Sequence, residues 1–329
     1  METPADNRGR LVSLDVFRGL TIAAMLIVNN PGTWASVYPP LRHAAWDGCT
    51  PTDLIFPFFL FIVGVSIAFS RRLDLIGARS AAPMWPTVAA VCKRGTILVL
   101  LGLFLNLTSV LVRGETDLSA WRLPGVLQRI GVCYVACALL GMFVSIRNQV
   151  VIAGVILAGY AALLVWIGAP GSAESSLNMD GNIVAHVDRL LIGGGHMYRP
   201  GRHDPEGLLS TLPAIVTTLI GVWVGKGIQG RPLTPASVAR LLGIGAVVAA
   251  VGWSWGRLGV PLNKELWSSS YVVFTGGCAM TFLAVCMAIC DLGRSWGSVL
   301  THPAQTLGLN AMVAFVGSAL LRRSPGHAP

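Results

Sequence analysis

A histidine and two aspartates lie in a short polar stretch that leads directly into a strongly apolar run. The stretch is "LRHAAWDGCTPTDLIFPFFLF", residues 41–61, and its notable side chains are His43, Trp46, Asp47 and Asp53. Histidine titrates close to neutral pH, which suits general-base catalysis on an amine or an alcohol. A simpler role for Asp53 is to cap the helix that follows. The stretch is therefore either a capped loop or part of a reaction centre.

Further polar side chains recur at the ends of apolar runs and inside them. Together with Asp47 and Asp53, the candidates for substrate or cofactor binding are Asn29, Gln128, Arg129, Asp204, Glu206, Asn263, Lys264 and Asn310. Ionisable groups inside apolar spans are costly and usually face a cavity or each other. Each residue also has a structural reading, such as a helix cap, an ion pair or an interhelical hydrogen bond. Their number predicts a polar cavity that opens toward the outer face.

The elements that position these residues must be membrane helices. Of the 329 residues, 53% are hydrophobic and only 12% are charged, whereas about 25% of the residues of a soluble domain are charged. The chain therefore lacks the polar surface to cover itself in water. Its net charge of +9 reflects basic residues between apolar runs, which set membrane topology, so no nucleic-acid partner is expected. The sequence contains no Walker A motif and no metal-ligand spacing.

We expect an all-α polytopic integral membrane helix bundle of about nine to ten transmembrane helices, formed by one domain, residues 1–329. Apolar windows of sufficient length lie near residues 14–31, 52–70, 95–112, 123–145, 149–168, 208–228, 236–256, 266–290 and 303–321. Asp15 and Arg18, near the start of the first window, share a helix face and are expected to form an ion pair.

Basic residues between the spans predict the orientation in the membrane. The densest group consists of Arg71, Arg72, Arg79, Lys93 and Arg94. Short cytoplasmic loops are enriched in lysine and arginine, so this segment and the amino terminus, with Arg8 and Arg10, are predicted to be cytoplasmic. Alternation then places the loop that holds His43 outside, together with the extracytoplasmic loop 169–207. The segment "NIVAHVDRLLIG" in that loop predicts a short interfacial helix that ends at the glycines 193–195.

Five blocks of this sequence resemble the heparan-α-glucosaminide N-acetyltransferase family, a group of transmembrane acetyltransferases with a lysosomal branch and bacterial relatives. In chain order the blocks are "SLDVFRGLTIAAMLIVNN", "RHAAWDGCTPTDLIFPFFLFIVGVSI", "LPGVLQRIGVCY", "DPEGLLSTLPAIVTTLIGVWVG" and "PLNKELWSSSYV". The resemblance covers about residues 10–315. Two departures accompany it: the large amino-terminal extracytoplasmic domain of the lysosomal branch is not found, and the end "GSALLRRSPGHAP" is short, as if a last helix were missing or diverged.

The resemblance implies an activity that composition alone does not. Members of the family take acetyl from acetyl-CoA on the cytosolic side and deliver it to the amine of a glucosamine on the opposite side. The active-site histidine of the family corresponds to His43, and the asparagine that closes the first block corresponds to Asn29. Arg129 and Lys264 are candidates for contacts with the phosphates or pantetheine of the donor. The implied location is a bacterial inner membrane, with acetyl-CoA as donor, no metal, and an amino sugar or glycan as acceptor.

Several alternatives stay open at this point. His43 could act as a general base or could carry the acetyl group itself, and Asn29 could donate to the developing oxyanion. Buried charges and interrupted helices would also fit a transporter for an amino sugar or an organic anion. A catalytically silent relative and a homo-oligomer are both compatible with the sequence.

Overall fold

The computed structural model describes residues 11–70, 84–112, 114, 118, 121–171, 177–292 and 297–322. Within them the chain forms α-helices joined by loops and short 3₁₀ turns, which confirms the all-α prediction. In chain order the helices are α1 (Val12–Asn29), α2 (Ile55–Ala68), α3 (Trp85–Val112), α4 (Val126–Phe143), α5 (Ile146–Trp166), α6 (Ile183–Ile192), α7 (Thr211–Ile228), α8 (Pro235–Arg257), α9 (Ser269–Met287), α10 (Gly297–Leu309) and α11 (Ala311–Arg322). The topology signals Arg8, Arg10, Arg71, Arg72 and Arg79, and the end 323–329, lie outside the described residues.

Eight helices in the described part of the chain are long and apolar enough to cross a membrane, and the pair α10–α11 makes a ninth if it is one span. The span expected at 95–112 begins earlier, at Trp85. Lys93 and Arg94, which were expected in a loop, lie inside α3. Long basic side chains can reach the interface from a helix end, so their charge does not stop the helix. The short helix expected in the long loop is confirmed as α6, which ends at Ile192 and is followed by Gly193 with φ +88°.

The last expected span, 303–321, is broken rather than continuous. Its two halves meet at Asn310 with a bend of 79°. The side-chain amide of Asn310 donates to the carbonyl of Thr306 at 2.9 Å, and Pro303 lies inside the first half. Both features compete with regular backbone hydrogen bonds. The break places irregular backbone beside the interior of the bundle.

Helices α2, α7 and α9 form the centre of the bundle, where more than half of each spanning window is buried, whereas less than a third of α3, α5 and α8 is buried. Close packing in the centre depends on glycine. A β-carbon on Gly64 of α2 would lie 1.9 Å from the backbone oxygen of Thr218 in α7. The apolar outer helices therefore face lipid, while the central helices hold the interior.

A second close contact joins α1 to α10. A β-carbon on Gly308 would lie 2.0 Å from the backbone oxygen of Asp15, and one on Gly19 would lie 1.7 Å from that of Ala304. The predicted ion pair in α1 is confirmed, with 3.2 Å between Arg18 and Asp15. The close packing at Gly19 and Gly308 fixes α10, the first half of the broken helix, against α1.

Loops at one end of the bundle pack on one another as a layer, which we call the loop layer: residues 30–54, 121–125, 167–171, 177–210 and 258–268. The indole N–H of Trp46 donates to the backbone oxygen of Leu177 at 2.9 Å. The backbone N–H of Gly48 donates to the oxygen of Leu262 at 2.7 Å, and that of Leu123 donates to His196 at 3.0 Å. The long loop thus folds over the end of the molecule that carries His43, as the sequence suggested.

Candidate active site

A cavity of about 650 Å³ runs along the inside of the bundle. Its lining runs from Thr52, in the turn before α2, along α2 to Ser66, a length of about 20 Å at the usual helical rise. The middle of the lining is apolar and includes Ile22, Met25, Phe59, Ile62, Ile130 and Met312. A cavity of this volume falls in the range of about 300–1,000 Å³ that is usual for ligand sites. A cavity is therefore present, but its wall is more apolar than the sequence predicted.

His43 and Asp53 form a hydrogen-bonded pair at the loop-layer end of this cavity, which His43 lines. The distance from His43 Nδ1 to Asp53 Oδ1 is 2.6 Å. The side chain of His43 is 46% exposed, whereas that of Asp53 is 1% exposed. An ionised carboxylate only accepts hydrogen bonds, so the ring hydrogen belongs on Nδ1 and the lone pair remains on Nε2. This is the tautomer that a base or nucleophile at Nε2 requires.

The second oxygen of Asp53 is fixed by the loop that the sequence predicted as a cap. It accepts hydrogen bonds from the backbone N–H of Ala44, from the backbone N–H of Thr50 and from the hydroxyl of Thr50, each at 3.0 Å. The capping box between Thr50 and Asp53 confirms the predicted cap. Capping and orientation of His43 are performed by one carboxylate through its two oxygens. The two readings of the stretch are therefore compatible.

Lys264 brings a cation to the same histidine from the loop between α8 and α9. Its Nζ lies 3.1 Å from Nδ1 and 3.4 Å from Nε2 of His43, and 3.6 Å from Asp53 Oδ1. An atom at similar distances from both ring nitrogens cannot lie along the lone-pair direction of each. The ammonium group therefore lies beside the imidazole and does not occupy the direction of the Nε2 lone pair.

The turn that presents Lys264 is held in a strained conformation. Trp267 has φ +52°, which is rare for a bulky residue and costs of order 1–3 kcal/mol. The carbonyl of the Asn263 side chain accepts from the backbone N–H of Leu266 at 2.8 Å, and its amide donates to Asp47 at 3.1 Å. Two predicted binding residues, Asp47 and Asn263, thus join two loops and do not line the cavity.

Arg122 binds the predicted pair Asp204 and Glu206 at the same end of the cavity. Its guanidinium donates to both oxygens of Asp204, at 2.9 and 2.7 Å, and also to Glu206. Burial disfavours the cation, but the nearby charges of Glu206 and Asp204 outweigh burial and raise the pKa of Arg122. Arg122 and Glu206 line the cavity, whereas Asp204 lies behind them. The carboxylate pair therefore holds a fixed arginine at the cavity mouth.

Gln128 and Arg129 lie on a face of α4 that does not line the cavity. Gln128 donates to the backbone oxygen of Leu123 at 3.0 Å. Arg129 is buried, donates to the backbone oxygen of Gly207 at 3.0 Å, and lies over the ring of Trp267 at 5.1 Å. Both residues thus connect helices and loops. Arg129 does not reach the cavity wall, so it is not placed to contact an acetyl-CoA donor bound there.

The remaining predicted residues line the cavity at different positions. Asn29, at the end of α1, and Asn310, at the break between α10 and α11, are both in its wall. At the end opposite to His43 the wall carries two arginines, Arg18 and Arg94. Arg18 also donates to the hydroxyl of Ser66 at 2.9 Å. The cavity therefore has a basic end and an end with mixed acidic and basic groups.

Sequence reasoning missed Arg122, Glu265 and Tyr198 as lining residues. Each is a single polar residue in a polar loop, so its type gave no signal. The spacing "NKE" places Glu265 beside Lys264 and could have suggested it. Among the described residues, no group of three or more His, Cys, Asp or Glu is arranged to hold a metal ion.

The fold and this site define a polytopic membrane protein with a hydrogen-bonded histidine–aspartate pair at one end of a cavity inside its helix bundle. The sequence model of the family described as "Heparan-alpha-glucosaminide N-acetyltransferase, catalytic" matches residues 10–238. This match extends over well more than half of the chain, and the chain belongs to that N-acetyltransferase family.

Two relatives carry the same name. The chain is 28% identical over 372 aligned residues to Heparan-alpha-glucosaminide N-acetyltransferase of Mus musculus, an alignment that covers 97% of this chain and 55% of the relative. It is 27% identical over 358 residues to the protein of that name from Homo sapiens, covering 94% of this chain and 52% of the relative. The chain thus spans about half the length of the curated relatives that it matches.

Proposed function

We propose that the protein is a transmembrane acetyltransferase that moves acetyl from cytosolic acetyl-CoA to the amine of a glucosamine-type acceptor on the extracytoplasmic side. The main support is that one cavity joins the basic end, with Arg18 and Arg94, to the His43–Asp53 pair at the other end. A donor and an acceptor on opposite sides of the membrane could react there without either crossing the bilayer. The names of the mouse and human relatives are consistent with this activity.

The chemistry of the cavity suits acetyl-CoA. Arg18 and Arg94 at one end would bind the phosphates of the donor, because guanidinium groups match phosphate oxygens in charge and geometry. The apolar middle, with Phe59 and Ile62, would enclose the pantetheine arm. The thioester would then lie near His43. On this assignment the basic end faces the cytoplasm, in agreement with the orientation predicted from the loop charges.

His43 would perform the transfer through Nε2 by one of two routes. As a general base it takes a proton from the acceptor ammonium, the free amine attacks the thioester carbonyl, the carbon–sulfur bond breaks, and a second proton passes from the nitrogen to the departing thiolate. As a nucleophile, Nε2 attacks that carbonyl itself, the carbon–sulfur bond breaks, CoA leaves as the thiolate, and an acetyl-imidazolium forms with Nδ1–H still donated to Asp53. The free amine of the acceptor then attacks the acetyl carbon, the bond from that carbon to Nε2 breaks, and the proton that the nitrogen loses goes to the thiolate. Asp53 holds the required tautomer in both routes. Asn29 and Lys264 would stabilise the negative charge that develops on the carbonyl oxygen.

Labelled acetyl-CoA and glucosamine test this proposal in membranes that contain the protein. His43→Ala should reduce label transfer by about 10²-fold or more. His186→Ala in α6, which does not line the cavity, is the matched control and should keep its activity. Equal transfer by wild type and His43→Ala would remove His43 from the mechanism. Acetyl bound to the protein in the absence of acceptor would identify the acetyl-imidazole route, and its absence from quenched samples would favour the direct route.

The broken helix α10–α11 favours one alternative function, transport of an amino sugar or an organic anion. Interrupted helices that line a cavity are common in transporters, and Asn310 at the break lies in the cavity wall. Uptake of labelled glucosamine into vesicles without an acetyl donor would support transport. Transfer of acetyl without such uptake would support the acetyltransferase.

A further inference from the structure

A second histidine–carboxylate pair lies next to the His43 centre. Nε2 of His203 is 2.7 Å from Oε2 of Glu265. His203 is only 3% exposed, and its ring meets that of Trp46 edge-on, with 5.4 Å between centroids. Glu265 lines the cavity and follows Lys264, which contacts His43. The pair thus combines a buried ring with a carboxylate that lines the cavity.

The surroundings of His203 fix the direction of this hydrogen bond. Its Nδ1 atom is buried and has no hydrogen-bond partner among the described residues. A hydrogen on Nδ1 would therefore be an unsatisfied buried donor, which is unfavourable. The ring hydrogen belongs on Nε2, where it is donated to Glu265. His203 acts in this way as a fixed donor to the carboxylate.

This donor keeps Glu265 ionised. Burial disfavours its charge, but the hydrogen bond from His203 and the nearby cation of Lys264 outweigh burial and lower the pKa of Glu265. Glu265 is thus an anion at neutral pH, in a cavity wall.

The two glutamates that line the cavity differ in their partners. Glu206 forms an ion pair with Arg122, so its charge is already balanced. In the described part of the chain, no lysine or arginine forms an ion pair with Glu265, whose direct partner is His203. The negative charge of Glu265 is therefore available to a cationic ligand close to His43.

We propose that Glu265 binds the ammonium group of the acceptor beside His43 and so selects cationic amines over neutral alcohols, with His203 as its positioning residue. This assignment rests on the proposed acetyltransferase function. Acetyl transfer requires the free amine, but an amino sugar in neutral solution is mostly an ammonium ion. A carboxylate next to His43 binds the ammonium ion first. The ion then loses its proton, either to His43 or in the transfer step. Glu265 binds and orients, and it takes no part in bond breaking.

The test measures steady-state kinetics of Glu265→Gln with glucosamine as acceptor. Glutamine keeps an oxygen that accepts from His203, so the turn is preserved while the charge is lost. Loss of a charge-assisted contact should raise KM for glucosamine by about 10- to 100-fold. We expect kcat and KM for acetyl-CoA to change less than about threefold. Asp180→Asn is the matched control, because Asp180 is an exposed carboxylate paired with Arg202 in the same loop layer, and it should leave all three constants unchanged.

His203 has its own test. His203→Ala removes the donor to Glu265, and His203→Gln restores an N–H of similar reach. A positioning role predicts that alanine raises KM for glucosamine with a smaller change in kcat, and that glutamine recovers most of the loss. A fall in kcat alone, or equal loss in both variants, would contradict it.

A binding measurement separates this proposal from the proposed function. Glucosamine should raise the Tm of the purified wild type by ligand stabilisation, whereas glucose, which has a hydroxyl in place of the ammonium, should not. Glu265→Gln should abolish the shift. A lost shift in a protein that transfers no acetyl would support the ammonium site and reject the acetyltransferase. Normal acetyl transfer with an unchanged KM for glucosamine in Glu265→Gln would overturn the role of Glu265 alone, and equal shifts with glucosamine and glucose would also overturn it.

Discussion

Replacement of Asp53 by asparagine tests the orientation of His43 more sharply than removal of the histidine. Asparagine has nearly the same shape, but one of its two polar atoms is a donor. In the native loop one oxygen of Asp53 receives three hydrogen bonds and the other receives Nδ1–H of His43. The amide must therefore direct its NH₂ group either at the three donors of the loop or at His43.

The contacts decide between these two orientations. With the NH₂ group toward Ala44 and Thr50, the loop loses its acceptor and buried donors face one another. With the oxygen kept there, the NH₂ group faces His43, so Nδ1 must accept and the hydrogen moves to Nε2. The second orientation is favoured because it keeps the three bonds. It produces a histidine without a lone pair on Nε2.

The expected loss follows from the cost of restoring the reactive tautomer. Rotation of the amide would sacrifice two or three hydrogen bonds and leave buried donors unpaired, a cost of roughly 3–5 kcal/mol at about 1–3 kcal/mol for each unsatisfied group. At about 1.4 kcal/mol for each factor of ten, kcat should fall by about 10²- to 10⁴-fold. The cap itself should contribute only about 1 kcal/mol to the free energy of unfolding.

The assay is acetyl transfer to glucosamine by purified Asp53→Asn, with Tm measured in parallel to show that the variant is folded. Thr50→Val is the matched control, since it removes one of the three donors to Asp53 and leaves the carboxylate in place. It should retain activity within about tenfold, as expected for the loss of one hydrogen bond. If Asp53→Asn transferred acetyl at a rate close to that of wild type, Asp53 would be a cap only and the proposed tautomer would be wrong.

Three further predictions concern other parts of the molecule. Burial raises the pKa of Asp188 from 3.8 to about 6, so its contribution to stability is complete below pH 3.8 and is lost as pH rises through 6. Asp188→Asn should therefore show a smaller fall in Tm between pH 4 and 7, and the difference corresponds to up to about 3 kcal/mol in the free energy of unfolding. An identical dependence of Tm on pH in both proteins would contradict this. Gly308→Ala should lower Tm, because the added β-carbon would overlap α1 at a cost of about 1–3 kcal/mol. Gly317→Ala is the control and should not lower Tm, because its added β-carbon would meet nothing within 4 Å. Equal Tm values for the two variants would refute the close contact. Arg94→Gln should raise KM for acetyl-CoA by about tenfold and leave KM for glucosamine unchanged. Lys93→Gln, at a residue outside the cavity lining, is the control and should change neither constant. If Arg94→Gln raised KM for glucosamine instead, the assignment of the two cavity ends would be reversed.

Apolar length predicted the spans well because a bilayer requires about 20 apolar residues in a row, and this requirement is visible in one dimension. It did not reveal the break at Asn310, since a polar amide inside an apolar run is equally compatible with a continuous helix. It also placed the start of α3 too late, because basic residues at a helix end look like a loop. The sequence therefore predicts which segments cross the membrane better than their exact shape.

The site was predictable where its members are close in the chain. His43 and Asp53 lie ten positions apart in one loop, so their contact could be anticipated from the stretch that contains them. The pair His203 and Glu265 is separated by 62 positions, and the contact depends on how α7 and α8 return the chain to the loop layer. Residue type also does not show which of two adjacent polar residues belongs to the site. Asn263 holds a turn through its side-chain hydrogen bonds, whereas Lys264, one position later, contacts His43.

The cavity with its two unlike ends has a thermodynamic consequence for a reaction that crosses a membrane. In the proposed transfer the acceptor ammonium loses two protons: one stays on the acceptor side, and the other leaves with the thiol of CoA on the donor side. CoA has the same charge before and after, and the positive charge lost by the ammonium reappears as the proton on its own side. A potassium diffusion potential across proteoliposomes should therefore not change the final extent of transfer. The proposed reaction would thus be an electroneutral exchange of acetyl for hydrogen across the membrane, driven by the thioester bond and independent of the membrane voltage.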